Sequence, residues 1–181
     1  APVQSVFPLA CPVMEYKWIE GWKSELIHCP NGYVEKDCVF KEIMSAPFLM
    51  GSFYGKTTWT AVLYDPHTYT VHYRLENKIS VSLYKIEFEA DGKDRTKCRL
   101  ELTYDALNRK GISIIENQGA EKIRFMLSIL SRMMKYYSEM GEILKSASLA
   151  RQILRFKHFT PKDKTRLLLN RFLMKVMREK D

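Results

Sequence analysis

The sequence predicts an α+β domain in which a curved antiparallel β-sheet grips one long helix, followed by a helical C-terminal extension. Three observations indicate this. Prolines break the opening segment, six later segments alternate between apolar and polar residues, and a long proline-free segment carries apolar residues at helical spacing. The 181 residues suffice for one domain with a full core and an extension, so we predict domains at 1–145 and 146–181.

Composition is typical of a folded protein. Hydrophobic residues make up 46% of the sequence and aromatic residues 12%, which is too many for a disordered chain. No apolar run reaches the roughly 18 residues that a transmembrane segment needs. The four cysteines show no metal-ligand spacing, and a chain of this size does not need disulfides for stability, so we predict reduced thiols in a cytoplasmic protein. No cofactor and no metal site are predicted.

The opening segment contains "FPLACPVMEYKWIEGW", which combines prolines with large aromatic residues. Pro2, Pro8 and Pro12 are compatible with helix starts, where a missing N–H costs nothing, but not with one continuous helix. The segment is therefore predicted to form short helices.

The chain then changes to the period of β-strands. In "WKSELIH", apolar and polar residues alternate, and Asn31-Gly32 supplies a hairpin turn. Further strands are predicted in "YVEKDCVFKEI", "KTTWTAVLYD", "YTVHYRLE", "SVSLYKIEFEA" and "RTKCRLELTYD". Because short turns join most of them, the six strands are expected to form an antiparallel meander with one covered face.

The covering element is predicted to be a helix over about residues 117–143. No proline interrupts this part of the chain, and "NRKGISIIENQ" before it is interpreted as a loop. Apolar residues recur at helical spacing: Ile123, Met126, Leu127, Leu130, Met133, Met134 and Tyr137. Phe125 and Ile129 lie off this stripe, which indicates a second packing partner.

The C-terminal extension carries most of the net charge of +8. From Arg151 onward there are ten of the 29 basic residues but only three of the 21 acidic ones. Apolar residues are interleaved with the charges, which favours solvated faces of amphipathic helices over binding to nucleic acid. Two helices are predicted, at roughly 146–158 and 161–178. Their apolar faces would pack on Phe125 and Ile129 or on a second subunit, and we slightly favour a homodimer.

Four stretches resemble one known family. They are "APVQSVFPLACPVMEYKWIEGW", "GYVEKDCVF", "TTWTAVLYDP" and "SRMMKYYSEMGEIL". In content and order they are similar to the START-like helix-grip superfamily, often labelled SRPBCC, which includes pollen-allergen proteins and polyketide cyclase/dehydrase-type domains. The resemblance covers about residues 1–145. Family members carry a further strand before the position of Ala1, so that strand either lies outside this sequence or is missing from the sheet.

The resemblance implies an internal cavity between sheet and long helix, with Tyr16, Trp18 and Trp22 as its wall and lid. Filling of an ordinary core is the alternative role for these aromatic residues. Together with the inward-facing strand and helix positions, the predicted ligand-binding residues are Tyr16, Trp18, Trp22, Leu26, His28, Phe40, Trp59, Tyr73, Tyr84, Phe88, Leu102, Met126 and Leu130.

The function predicted from these residues is binding of a hydrophobic or amphipathic small molecule, lipid-like or polyketide-like. The alternative is a cyclase or dehydratase-type enzyme that acts in the same cavity. No carboxylate is predicted to share the inner face with His28, so no catalytic residue is assigned and a binding protein is favoured.

Overall fold

The computed structural model describes residues 1–44, 56–145 and 148. Its helical elements are α1 (Val3–Val6), two 3-10 turns (Phe7–Ala10 and Glu15–Lys17) and α2 (Arg109–Met140). Its strands are β1 (Lys23–His28), β2 (Val39–Met44), β3 (Thr58–Asp65), β4 (Thr70–Glu76), β5 (Ser80–Ala90) and β6 (Thr96–Ala106). The two helices predicted at roughly 146–158 and 161–178 fall outside the described residues.

The six strands form one antiparallel, curved and unclosed sheet in the order β1-β2-β3-β4-β5-β6. The predicted meander is therefore confirmed. Side-chain hydrogen bonds shape its turns, as at Asn77, whose Oδ1 accepts from the backbone N–H groups of Ile79 and Ser80 at 2.9 and 3.0 Å. β5 and β6 pair without interruption from Ser80 opposite Ala106 to Ala90 opposite Thr96.

The opening segment is less helical than predicted. It contains a single turn of α-helix and two 3-10 turns, because its prolines leave no room for longer helices. Side chains then hold the segment together. The indole N–H of Trp18 donates to the Leu9 carbonyl at 2.9 Å, and that of Trp22 donates to the Pro12 carbonyl at 2.6 Å.

Helix α2 begins earlier than the predicted start near residue 117. Asn108 caps it: its Oδ1 accepts from two backbone N–H groups of the first turn, both at 3.1 Å. The stretch interpreted as a loop is thus the first part of the helix. Gly141, at φ 71°, ends α2 in the left-handed conformation that glycine tolerates. No helix in the described ranges combines the length and hydrophobicity that a membrane span requires.

One hydrophobic core joins the opening segment, the sheet and α2. Buried side chains from the sheet include Phe40, Trp59 and Tyr73, and those from α2 are Met126, Ile129, Met133 and Met134. Ile129 is only 1% exposed and belongs to this core, and the predicted packing of the C-terminal extension on it concerns residues outside the described ranges. The helix buries a wider stripe than its apolar spacing indicated.

The prediction of four reduced thiols is also wrong. Cys29 and Cys38 form a disulfide, whereas Cys11 and Cys98 are free. The reason is local. The chain reverses between Cys29 and Cys38, which brings their Cα atoms to 4.7 Å, within the range that a disulfide requires.

Candidate functional site

A cavity partly open to solvent lies between the inner face of the sheet and α2. The centres of water molecules can reach about 70 Å³ of it, enough for about five waters at the 10–15 Å³ that each needs. Its wall is formed by Glu15, Trp22, Glu42, Thr57, Trp59, Leu75, Asn77, Ser80, Ser82, Tyr84, Leu102, Tyr104, Met126, Leu127 and Leu130. All six strands except β1 contribute to this wall, together with α2 and the opening segment.

Six of the thirteen residues predicted to bind a ligand line this cavity. Trp22 precedes β1, three come from the centre and far edge of the sheet, and two come from α2. These residues are Trp22, Trp59, Tyr84, Leu102, Met126 and Leu130. Strand alternation places Trp59, Tyr84 and Leu102 on the inner face because β3, β5 and β6 are regular where they cross the cavity.

The other seven predicted residues lie elsewhere. Trp18, Phe40, Tyr73 and Phe88 are buried in the core but are not part of the cavity wall. Tyr16, Leu26 and His28 are exposed. β1 is an edge strand whose pairing with β2 is irregular at both ends, and neither of its faces is covered as the alternation indicated. The predicted roles of Leu26 and His28 as inward-facing groups are therefore wrong, as is that of Tyr16 as a lid.

Two buried carboxyl groups line the cavity, and the sequence analysis missed both. Glu15, from the second 3-10 turn, is 6% exposed, and Glu42, from β2, is 5% exposed. The indole N–H of Trp59 points to Oε2 of Glu42 at 3.4 Å. Glu15, by contrast, makes no side-chain hydrogen bond or ion pair with the described residues. The earlier conclusion that the inner face lacks a carboxylate is wrong.

The electrostatics of the cavity follow from this burial. Removal from water, and then the nearby charge of Glu42, raises the pKa of Glu15 well above its usual range. Burial and the proximity of Glu15 likewise raise the pKa of Tyr84 well above the ordinary range of a phenol. Glu15 therefore holds its proton more tightly than an exposed glutamate does.

Aromatic rings form the part of the wall next to these carboxyl groups. The rings of Trp22 and Trp59 meet edge to face, with centroids 5.9 Å apart and planes at 86°. Tyr84 packs on Trp59 in the same manner, with centroids 6.2 Å apart and planes at 81°. Such rings offer both apolar contact area and negative ring faces to a bound molecule.

Smaller polar groups line the wall near the β4–β5 turn. Ser80 is 1% exposed and Ser82 is 4% exposed, and both lie on β5. The hydroxyl of Ser80 lies 3.2 Å from Oδ1 of Asn77 and donates to it. These groups can donate to or accept from a ligand, so the cavity is amphipathic and not uniformly apolar.

The sequence contains a signal for one of the two missed carboxyl groups. Glu42 follows Phe40 by two residues on the same strand, so the alternation that placed Phe40 inward also places Glu42 inward. Glu15 has no such signal, because it lies in a 3-10 turn where no period predicts which side is buried.

No protein-family model matches the sequence, and no curated protein matches it significantly. Within the described residues, no group of three or more His, Cys, Asp or Glu side chains is placed to bind a metal ion.

Proposed function

We propose that this protein binds a hydrophobic or amphipathic small molecule in the cavity between its sheet and α2, as a helix-grip protein of the START-like superfamily. The observation that carries the proposal is the cavity itself, with Trp22, Trp59, Leu102, Met126 and Leu130 in its wall. Side chains that normally complete a core here surround open space next to buried polar groups, which is the composition of a small-molecule site.

The proposal is tested by filling the cavity. Leu130→Trp adds an indole to the cavity wall, and Leu26→Trp makes the same change at a side chain that is 45% exposed. Uptake of the small neutral probe 2-phenylethanol, measured by calorimetry, should fall at least tenfold in Leu130→Trp and stay unchanged in Leu26→Trp. Equal uptake by both variants, with circular dichroism showing intact folds, would reject the cavity as the binding site.

The second candidate function is a cyclase or dehydratase-type enzyme, and the carboxyl pair specifically favours it. The raised pKa of Glu15 suits a group that transfers protons, and Glu42 and the hydroxyl of Tyr84 line the same cavity as possible partners in that transfer. Extraction of the purified protein, followed by mass spectrometry, separates the two functions. A co-purified compound that returns unchanged after incubation with fresh protein supports binding, whereas a new mass that requires Glu15 supports an enzyme.

Two further predictions accompany this proposal. A homodimer through the C-terminal extension can be tested by sedimentation of the full chain against a chain that ends at Lys145.

The cytoplasmic location stays a prediction, and the Cys29–Cys38 disulfide counts against it because such bonds are typical of oxidising compartments.

A further inference from the structure

The described wall of the cavity contains acidic residues but no basic ones. Of its fifteen residues in the described part of the chain, two are glutamates and none is a lysine, arginine or histidine. A fatty acid or a lipid phosphate bound here would place its negative charge beside two carboxyl groups. Like charges in a site with little water repel strongly, so the wall selects against anionic ligands.

Glu15 is a buried carboxyl group in this wall to which the described residues supply no hydrogen bond or ion pair. The residue is 6% exposed. Buried carboxyl groups are normally satisfied, and an unsatisfied one marks a place where another group belongs. No lysine, arginine or histidine among the described residues lines the cavity beside it.

The aromatic rings in the cavity wall favour a positively charged ligand, as the carboxyl group of Glu15 does. Trp59 contacts both Trp22 and Tyr84 edge to face, which leaves ring faces and edges along one side of the cavity. Indole and phenol faces attract cations by about 0.5–2 kcal/mol, most strongly where water is excluded. A carboxyl group that lines the same cavity as aromatic rings can recognise an organic ammonium ion.

We propose that the cavity binds a small apolar molecule that carries a basic amine, with Glu15 as the counter-ion of its ammonium group. This inference rests on the proposed binding function and names the chemistry of the ligand. About 70 Å³ for water centres accommodates an aromatic or aliphatic group of roughly eight to ten non-hydrogen atoms, at about 30 Å³ per displaced water. A longer chain would extend through the opening of the cavity.

Binding of the ammonium ion should release the proton of Glu15 to solvent. The titratable groups coupled to Glu15 are Cys11, Glu42, Tyr73 and Tyr84, which come from the opening segment, β2, β4 and β5. All of them are acids, so none can balance the charge of an ionised Glu15. Among the described side chains of α2, Met126, Leu127 and Leu130 line the wall, and none of them is charged. An incoming cation therefore favours the ionised form of Glu15.

Three probes of matched size and different charge test the inference on the full-length protein. They are 2-phenylethylamine, 2-phenylethanol and phenylacetate, measured at pH 7.5 by calorimetry and by the indole signals of Trp22 and Trp59 in NMR spectra. We expect the amine to bind at least tenfold more tightly than the alcohol, and phenylacetate not to bind. Glu15→Gln should bring the affinities for amine and alcohol within twofold, while the exposed Glu25→Gln should keep the preference for the amine.

A second measurement needs no variant and covers the case in which Glu15→Gln does not fold. Calorimetry in buffers of different ionisation enthalpy should show proton release with the amine and none with the alcohol. Phenylacetate binding as well as the amine, or amine binding without proton release, would overturn the inference. Equal binding of amine and alcohol would also overturn it but leave the proposed function standing. If none of the three binds, both proposals fail.

Discussion

The buried position of Glu15 predicts that Glu15→Gln stabilises the protein in a pH-dependent manner. In the folded protein, burial and Glu42 raise the pKa of Glu15 above its usual value of 4.5. The folded state therefore holds this proton more tightly than the unfolded state. The free energy of unfolding falls as the pH rises from the usual pKa towards the folded pKa, because unfolding releases a proton that solvent increasingly accepts. The glutamine side chain does not titrate, so the stability of the variant does not fall in this way.

The size of the effect follows from linkage. At pH 4, below the usual pKa, Glu15 is neutral in both states, so wild type and variant differ only by a constant packing term. Above pH 4.5 the variant should gain about 1.4 kcal/mol over wild type for each pH unit, until the folded pKa is reached. Urea unfolding followed by tryptophan fluorescence, at half-unit steps from pH 4 to pH 8, measures this difference directly.

A matched control separates burial from the loss of a charge. Glu25→Gln removes a carboxyl group from an exposed position on β1. Its free energy of unfolding should differ from that of wild type by the same amount at every pH. If the free energy of unfolding of Glu15→Gln also differs from wild type by a constant amount, ionisation of Glu15 is no harder in the folded protein than in the unfolded chain. The raised pKa of Glu15 in the folded protein would then be refuted.

Four further substitutions test the packing of the core and the start of α2 by urea unfolding. Tyr73→Phe should lower the free energy of unfolding by about 1–3 kcal/mol because the Tyr73 hydroxyl donates to the buried Ala10 carbonyl at 2.9 Å. Tyr84→Phe removes a hydroxyl that has no hydrogen bond to the described residues, so its loss of stability should be smaller. Equal losses in the two variants would contradict this. Asn108→Ala should cost about 1 kcal/mol through loss of the cap of α2, and an unchanged midpoint would show that the cap contributes nothing. Gly111→Ala should be destabilising although alanine favours helices by about 1 kcal/mol, because its Cβ would overlap a backbone carbonyl oxygen of the β4–β5 turn; a stabilised variant would contradict this close approach.

The fold could be predicted from the sequence wherever one local rule decided the outcome. Alternation fixed the strands, and the turn residues between them made the antiparallel order the simplest solution. The start of α2 was missed because a single side chain, Asn108, sets it, and asparagine is equally common in loops. The disulfide was missed because the argument from chain length concerns the need for a crosslink and says nothing about the distance between Cys29 and Cys38.

The cavity was predicted only in part because alternation sorts side chains into two faces without saying which face is covered. On β5 the rule succeeded for Tyr84, since the sheet is packed there. On β1 it failed for Leu26 and His28, since an edge strand with irregular pairing leaves both faces accessible. Treating charged residues as solvated hid Glu15 and Glu42, although polar groups in apolar surroundings are what distinguish a binding site from a core.

The two indole hydrogen bonds of the opening segment also bear on the kinetics of access to the cavity. Glu15 accepts, through its backbone carbonyl, the N–H groups of Trp18 and Ile19 at 3.1 and 2.7 Å, so it is part of the turn that the indoles of Trp18 and Trp22 hold in place. Displacing this turn breaks both indole hydrogen bonds, whose protons would then exchange with deuterium. Under conditions in which every opening leads to exchange, the exchange rates of the two indole protons equal the opening rate, which is the highest rate at which a ligand can enter the cavity by this route.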